Sequence, residues 1–99
     1  MRIVHCKREP FSHYIGRPGI FGNRHPVETV CPVDRCMGMV HSRDTAIKNF
    51  EIDARADPDL LAAIKALPED AVLGCWCAPK PCHGMVIRQL WIEQHNKEK

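Results

Sequence analysis

The sequence predicts a small α/β domain, and three observations carry that expectation. Two short apolar runs with strand character, Arg2-Ile3-Val4-His5-Cys6 and Ala71-Val72-Leu73-Gly74-Cys75, flank segments whose apolar residues recur at helical spacing. A chain of 99 residues has room for one hydrophobic core and no second domain. Its 44% apolar and 26% charged residues are ordinary for a globular protein. We therefore expect residues 1–99 to form one domain. Its short, mostly parallel sheet should be flanked by helices and preceded by a long irregular N-terminal region.

The elements follow in order. After the first strand, turn residues recur from Lys7 to about His41: Pro10, Gly16, Pro18, Gly19, Gly22, Asn23, Pro26, Pro32 and Gly38. An irregular stretch this long in a compact domain needs a function, a metal or tight packing to brace it. One or two short strands could hide in it, because two strands alone make a thin sheet. Ser42 is a good helix N-cap, with Asp44 favourably near the positive helix end, and Ile47, Phe50 and Ala54 follow on one face. Asp57-Pro58 starts a second helix with Asp as cap and Pro at its first position. Leu60, Leu61, Ile64 and Leu67 form its apolar face before Pro68 stops it. The run from Ala71 to Cys75 reads as a buried strand, expected to lie parallel to the first through a crossover. The last helix is expected from about His83 to His95, burying Val86, Ile87, Leu90 and Trp91, with a polar tail behind it.

Composition narrows the partners. No apolar run approaches the roughly 18 residues needed to span a bilayer. The N-terminus lacks the pattern of a signal peptide, so we expect a cytoplasmic protein with no membrane partner. In that reducing setting six cysteines point to metal binding or thiol chemistry before disulfides. The net charge of +2 is uneven: residues 1–26 hold five Lys or Arg against one acidic side chain. A local positive field suits phosphate, carboxylate or nucleic-acid partners, and equally describes a solvated basic face.

Three clusters could carry chemistry. Cys75, Cys77, Cys82 and His83 crowd into nine positions at the strand-to-helix junction, where ligands of α/β proteins commonly bind. Cys77 and Cys82, with His83 beside them, are the candidate catalytic residues. Cys82 is expected at a helix N-terminus, where free amides and the dipole lower a thiol pKa. As zinc ligands this group is poorly spaced, apart from Cys77-x4-Cys82. The Cys82-x5-Arg88 spacing of a phosphatase loop is set aside, because Met85-Val86-Ile87 begins a helix and turns no amides towards an anion. The second cluster, Cys31-x4-Cys36-x4-His41, offers three candidate zinc ligands, with Cys6 or a histidine as a fourth; two small buried hydrophobes are the plainer reading. The third is the loop from Tyr14 to Asn23. In it Gly16 and Gly22 allow close backbone approach, Arg17 offers a fork of donors for an anion, Tyr14 can stack, and Asn23 can hydrogen-bond a ligand edge. A structural loop held by its own aromatics is equally compatible.

Together, Tyr14-Ile15-Gly16-Arg17-Pro18 with Phe21-Gly22-Asn23, and Gly74-Cys75-Trp76-Cys77 with Pro81-Cys82-His83-Gly84, resemble the family catalogued as domain of unknown function 4326, small proteins of phages and bacteria. The strand followed by Cys-His at a helix start is more loosely similar to domain of unknown function 488. The resemblance implies an α/β fold and a shared site at residues 14–23 and 75–83, and no activity. This chain reads Asn23-Arg24-His25-Pro26 where the family typically has Asn-Pro, and the Cys31–Cys36 segment looks like an addition. Two functions follow as expectations. One is binding of a nucleotide-like or phosphorylated ligand by the glycine and arginine loop and the Cys/His junction, with catalysis left open. The other is a non-enzymatic zinc-stabilised module that binds nucleic acid or a host protein. A thiol redox protein using Cys75–Cys77 or Cys77–Cys82 is a third.

Overall fold

The computed structural model describes residues 1–17, 19–77 and 80–96. The turn signal at Pro18, Ala78-Pro79 of the cysteine cluster and the tail 97–99 lie outside the described residues. Three strands form one parallel sheet: β1 (Arg2–His5), β2 (His13–Tyr14) and β3 (Val72–Cys75), in the order β1-β3-β2. The last strand in sequence is thus the central one. Its register pairs Arg2 with Val72 and His5 with Cys75 on one side, and Tyr14 with Gly74 on the other. β2, two residues long, is a short strand of the kind expected within the first forty residues, too brief to announce itself by periodicity.

Three helices complete the fold: α1 (Arg43–Arg55), α2 (Pro58–Lys65) and α3 (Gly84–Asn96). Ser42 caps α1 by accepting from the Thr45 amide at 3.2 Å, and Asp57 caps α2 by accepting from the Asp59 and Leu60 amides at 3.1 Å. Each helix buries one stripe: Ala46, Phe50 and Ala54; Leu60 and Ile64; Val86, Ile87 and Leu90. These stripes meet Leu73 and Cys75 of β3, together with Ile15, in one core. Ile47, Leu61 and Trp91, expected inside, pack half-buried against it. Trp91 donates its indole N–H to the Leu67 carbonyl at 2.8 Å, closing α3 over the end of α2.

Side chains alternate along a strand, so Gly74 faces away from the helices that Leu73 and Cys75 meet. Both neighbours of β3 run parallel to it, so the chain must recross β3 between β1 and β2. It does so on that second face, where the Phe11 ring lies against Gly74; a Cβ there would come within 2.6 Å of the ring. From residue 15 to residue 42 the described chain holds a 3-10 turn at Asp34–Cys36 and two isolated bridges, Val27 with His41 and Val30 with Val40. No helix among the described residues is long and apolar enough to cross a membrane.

Candidate metal centre and the neighbouring cleft

The braces of that stretch are histidines and cysteines. The Val30–Val40 bridge and the Cys31 amide, bonded to the Met39 carbonyl at 2.9 Å, fold residues 30–40 back on themselves. The 3-10 turn then brings Cys36 beside Cys31, and Met37 leaves it in the left-handed region at φ 51°. The Val27–His41 bridge brings His41 back towards His25. His25, Cys31, Cys36 and His41 end up buried, with one ligand atom from each lying within 4.8 Å of all the others. The four are close enough to hold a metal ion.

Three of the spacings are compatible with zinc. The His25 Nδ1 atom is 3.3 Å from Cys31 Sγ and 3.5 Å from Cys36 Sγ, and His41 Nε2 is 3.3 Å from Cys36 Sγ. Tetrahedral bonds of zinc length to sulfur and nitrogen put the S···N edges at about 3.5 Å. The four groups also have the outer partner that metal-binding histidines need. Asp53 of α1 accepts from His25 Nε2 at 2.6 Å through one carboxylate oxygen, and from Arg35 at 2.8 Å through the other. A carboxylate only accepts, so Nε2 carries the proton and Nδ1 turns its lone pair to the sulfurs. Burial alone would raise the Asp53 pKa, but the His25 and Arg35 hydrogen bonds outweigh it and hold the carboxyl below its ordinary range. Burial and the adjacent Cys31 thiol push the Cys36 thiol up, so a metal must displace protons to bind. His41 Nδ1 is a buried atom with no hydrogen-bond partner among the described residues. An orphaned polar atom is costly, and the only hydrogen-bonding contact of this ring among the described residues is that of Nε2 with Cys36.

Of the sequence-predicted ligands, Cys31, Cys36 and His41 come together here and Cys6 does not; its amide bonds to the Cys75 carbonyl at the end of the sheet. His25 stood in the sequence only as an unspecified histidine, and Asp53 was missed. The regular spacing His25-x5-Cys31-x4-Cys36-x4-His41 was the available signal for the first. For Asp53, 28 residues from its partner, no local signal exists.

The Cys/His junction lies beside this centre. Gly16, Arg17, Asn23, Cys77, Cys82 and His83 line one cavity of about 120 Å³, which Arg43 also borders. Tyr14 stands on the sheet face, and Gly22 opens instead on a cleft of about 1100 Å³ between the loop and α1 and α2. Arg17 borders both. Asn23 is occupied structurally: its amide donates to the Ala46 carbonyl at 3.0 Å and its oxygen accepts from the His25 amide at 2.9 Å. It therefore fixes the approach of His25 to α1.

Cys82 departs from its expected chemistry. The Gly84 amide at the start of α3 does donate to its sulfur at 3.3 Å. Burial outweighs that bond, and Cys75 at 3.4 Å adds to it, so the Cys82 thiol is pushed up to about 12 rather than down. His83 is also buried; its Nε2–H donates to the Ile15 carbonyl at 2.7 Å and its ring meets Phe50 edge-on. Cys77 is the more open thiol of the three, half-buried at the cavity wall. His5, at the end of β1, packs edge-on against Trp76.

The model of the family described as domain of unknown function (DUF4326) matches residues 2–93. No curated protein and no solved structure matches.

Proposed function

The chain belongs to the DUF4326 family, and we propose that it works as a zinc-stabilised binding module. One observation carries this reading: four buried ligand atoms from His25, Cys31, Cys36 and His41 within 4.8 Å of one another, with Asp53 holding the first ring. Two thiolates and two imidazoles in tetrahedral reach are a zinc set by softness and geometry. A set of four protein ligands leaves no position for substrate, which is the pattern of a structural site. The ion would tie together the stretch between Ile15 and Ser42, where regular structure is scarce, and anchor it to α1 through Asp53. All six cysteines are free thiols, which fits a reducing compartment such as the cytoplasm.

Elemental analysis of untagged protein purified without chelator tests this, alongside thermal unfolding with and without chelator. About one zinc per chain is expected, with loss of the folded state on chelation and loss of zinc in Cys31→Ser and Cys36→Ser. Protein free of metal that unfolds at the same temperature with or without added zinc would overturn the reading.

A second reading is favoured by the cavity that unites the two motif segments. Arg17, Arg43 and Gly16 around the small cavity suit a phosphate group. At about 120 Å³ it falls well short of a whole-ligand pocket of about 300 Å³, so a nucleotide would have to extend past Arg17 into the larger cleft. Cys77, Cys82 and His83 would border the phosphate end, in a binding role or a catalytic one. Equilibrium binding of a nucleotide panel decides it. Affinities unchanged by Arg17→Ala and Cys82→Ala would remove this reading.

A further inference from the structure

The face of the sheet opposite the helices carries an aromatic surface that the metal centre does not explain. Gly74 and Trp76 sit two residues apart along β3 and its continuation, and so look out on the same side. The Phe11 ring rests on Gly74, and the Tyr14 phenol lies over Gly16, where a Cβ would collide with it. Tyr14 accepts from the Trp76 indole N–H at 2.7 Å, and the Phe11 and Tyr14 rings lie 6.1 Å apart at 44°. The three rings are held in place by these contacts, yet each stays open to solvent: Phe11 41%, Tyr14 40% and Trp76 56% exposed. The Lys7 ammonium lies 5.3 Å from the centre of the Trp76 ring, and exposed Arg8 follows in the same crossing loop.

We propose that this face binds single-stranded nucleic acid, with unpaired bases stacking on Trp76, Tyr14 and Phe11 and with Lys7 and Arg8 meeting the phosphates. This deepens the binding-module reading by naming the partner and the surface. Charge favours a nucleic acid over a protein: Lys7 and Arg8 both stand exposed in the crossing loop, and the acidic neighbour Glu9 is paired with Arg2 at 3.9 Å. Exposed aromatic rings favour a single strand over a duplex, since only unstacked bases can stack on them. Lys7 occupies the Trp76 face in the free protein through a cation–π contact. An incoming base displaces the ammonium, which is then beside the phosphate of the same nucleotide. Fixed rings lose little freedom when bases stack on them, so the hydrogen bond between Tyr14 and Trp76 acts as preorganisation.

The test is fluorescence anisotropy of a labelled 12-nucleotide oligothymidylate and its RNA counterpart, titrated with the full chain. Saturable binding is expected, weakening as salt is raised from about 50 to about 200 mM. Trp76→Ala should weaken it roughly 5- to 100-fold, the range of one lost stacking partner. Lys7→Ala should lower affinity less and flatten the salt dependence. Both positions are exposed, and circular dichroism checks that the variants fold. No saturable binding by the wild type, equal affinity for a duplex of the same sequence, or wild-type affinity in Trp76→Ala would each overturn the proposal. The first of these would leave the face to a protein partner. Zinc content of the same samples separates the two readings. Binding by a metal-free chain would sink the zinc module and retain this surface; a zinc-loaded chain that fails to bind would do the reverse.

Discussion

Asp53 shows how much one carboxylate can decide. It fixes the tautomer of His25, neutralises Arg35 and sits on α1, so the donor set is oriented before any ion arrives. Asp53→Asn keeps the shape and removes the charge. It should lower zinc affinity about 10- to 100-fold in competition with a chromophoric chelator, while the helix content is unchanged. His83 makes a prediction of a different kind. Its burial lowers its pKa below the ordinary 6.5, Arg17 adds to that, and the Ile15 and Phe21 carbonyls oppose both. The unfolded chain therefore takes up this proton at a higher pH than the folded one. The contribution of His83 is intact above about pH 6.5 and is lost as the pH falls through its lower folded value. Asp53, held below 3.8, runs in the same direction at lower pH. Urea midpoints of zinc-saturated protein between about pH 7.5 and 5 should thus fall more steeply for wild type than for His83→Asn. Parallel slopes would show that His83 is not the titrating group. Neither role could be read from sequence, since adjacency of Cys82 and His83 says nothing about the carbonyl, 68 residues away, that the imidazole meets.

At the scale of elements, local chemistry was legible wherever it was local. Ser42 and Asp57 announced the starts of α1 and α2, and Pro58 and Pro68 bracketed the second helix. The final helix begins at Gly84, with the expected His83 as the residue just before it, its carbonyl accepting from the Ile87 amide at 3.1 Å. β2 escaped because two residues cannot display a period; only its pairing with Leu73 and Gly74 defines it. The glycines of the two motifs become intelligible here. Gly16 and Gly74 are the places where Tyr14 and Phe11 crowd against the backbone, so the motifs read as aromatic seating as much as ligand contacts. The cap of α1 also bears on the proposed zinc centre, since Ser42 directly follows His41. Ser42→Ala should cost about 1 kcal/mol of stability by urea unfolding. A fraying first turn should also raise the zinc dissociation rate measured by chelator chase, and an unchanged rate would show that the cap and the metal centre are uncoupled.

Over the whole molecule, the fold class, the parallel pairing of β1 with β3 and three of the four metal-ligand positions were readable from sequence. The missing part was the assembly of distant segments, because burial and pairing across 60 or 70 residues leave no local trace. The uneven split between basic N-terminal and more acidic later residues was also visible, whereas the place of Lys7 beside rings on one face of the sheet needed three dimensions. One feature of the topology bears on how the chain is made. β3 is both central in the sheet and late in sequence, so Arg2 waits for Val72 before it has a neighbour. On the ribosome, the strands at the front of the chain emerge long before their partner. The residues that could hold the metal, from His25 to Asp53, all emerge before β3 is made. On the zinc-module proposal, capture of the ion precedes sheet closure during synthesis and gives the nascent domain its first fixed point. A peptide of residues 24–57 should accordingly take up zinc and gain helical circular dichroism by itself; a peptide that stays unstructured in zinc would place sheet closure first.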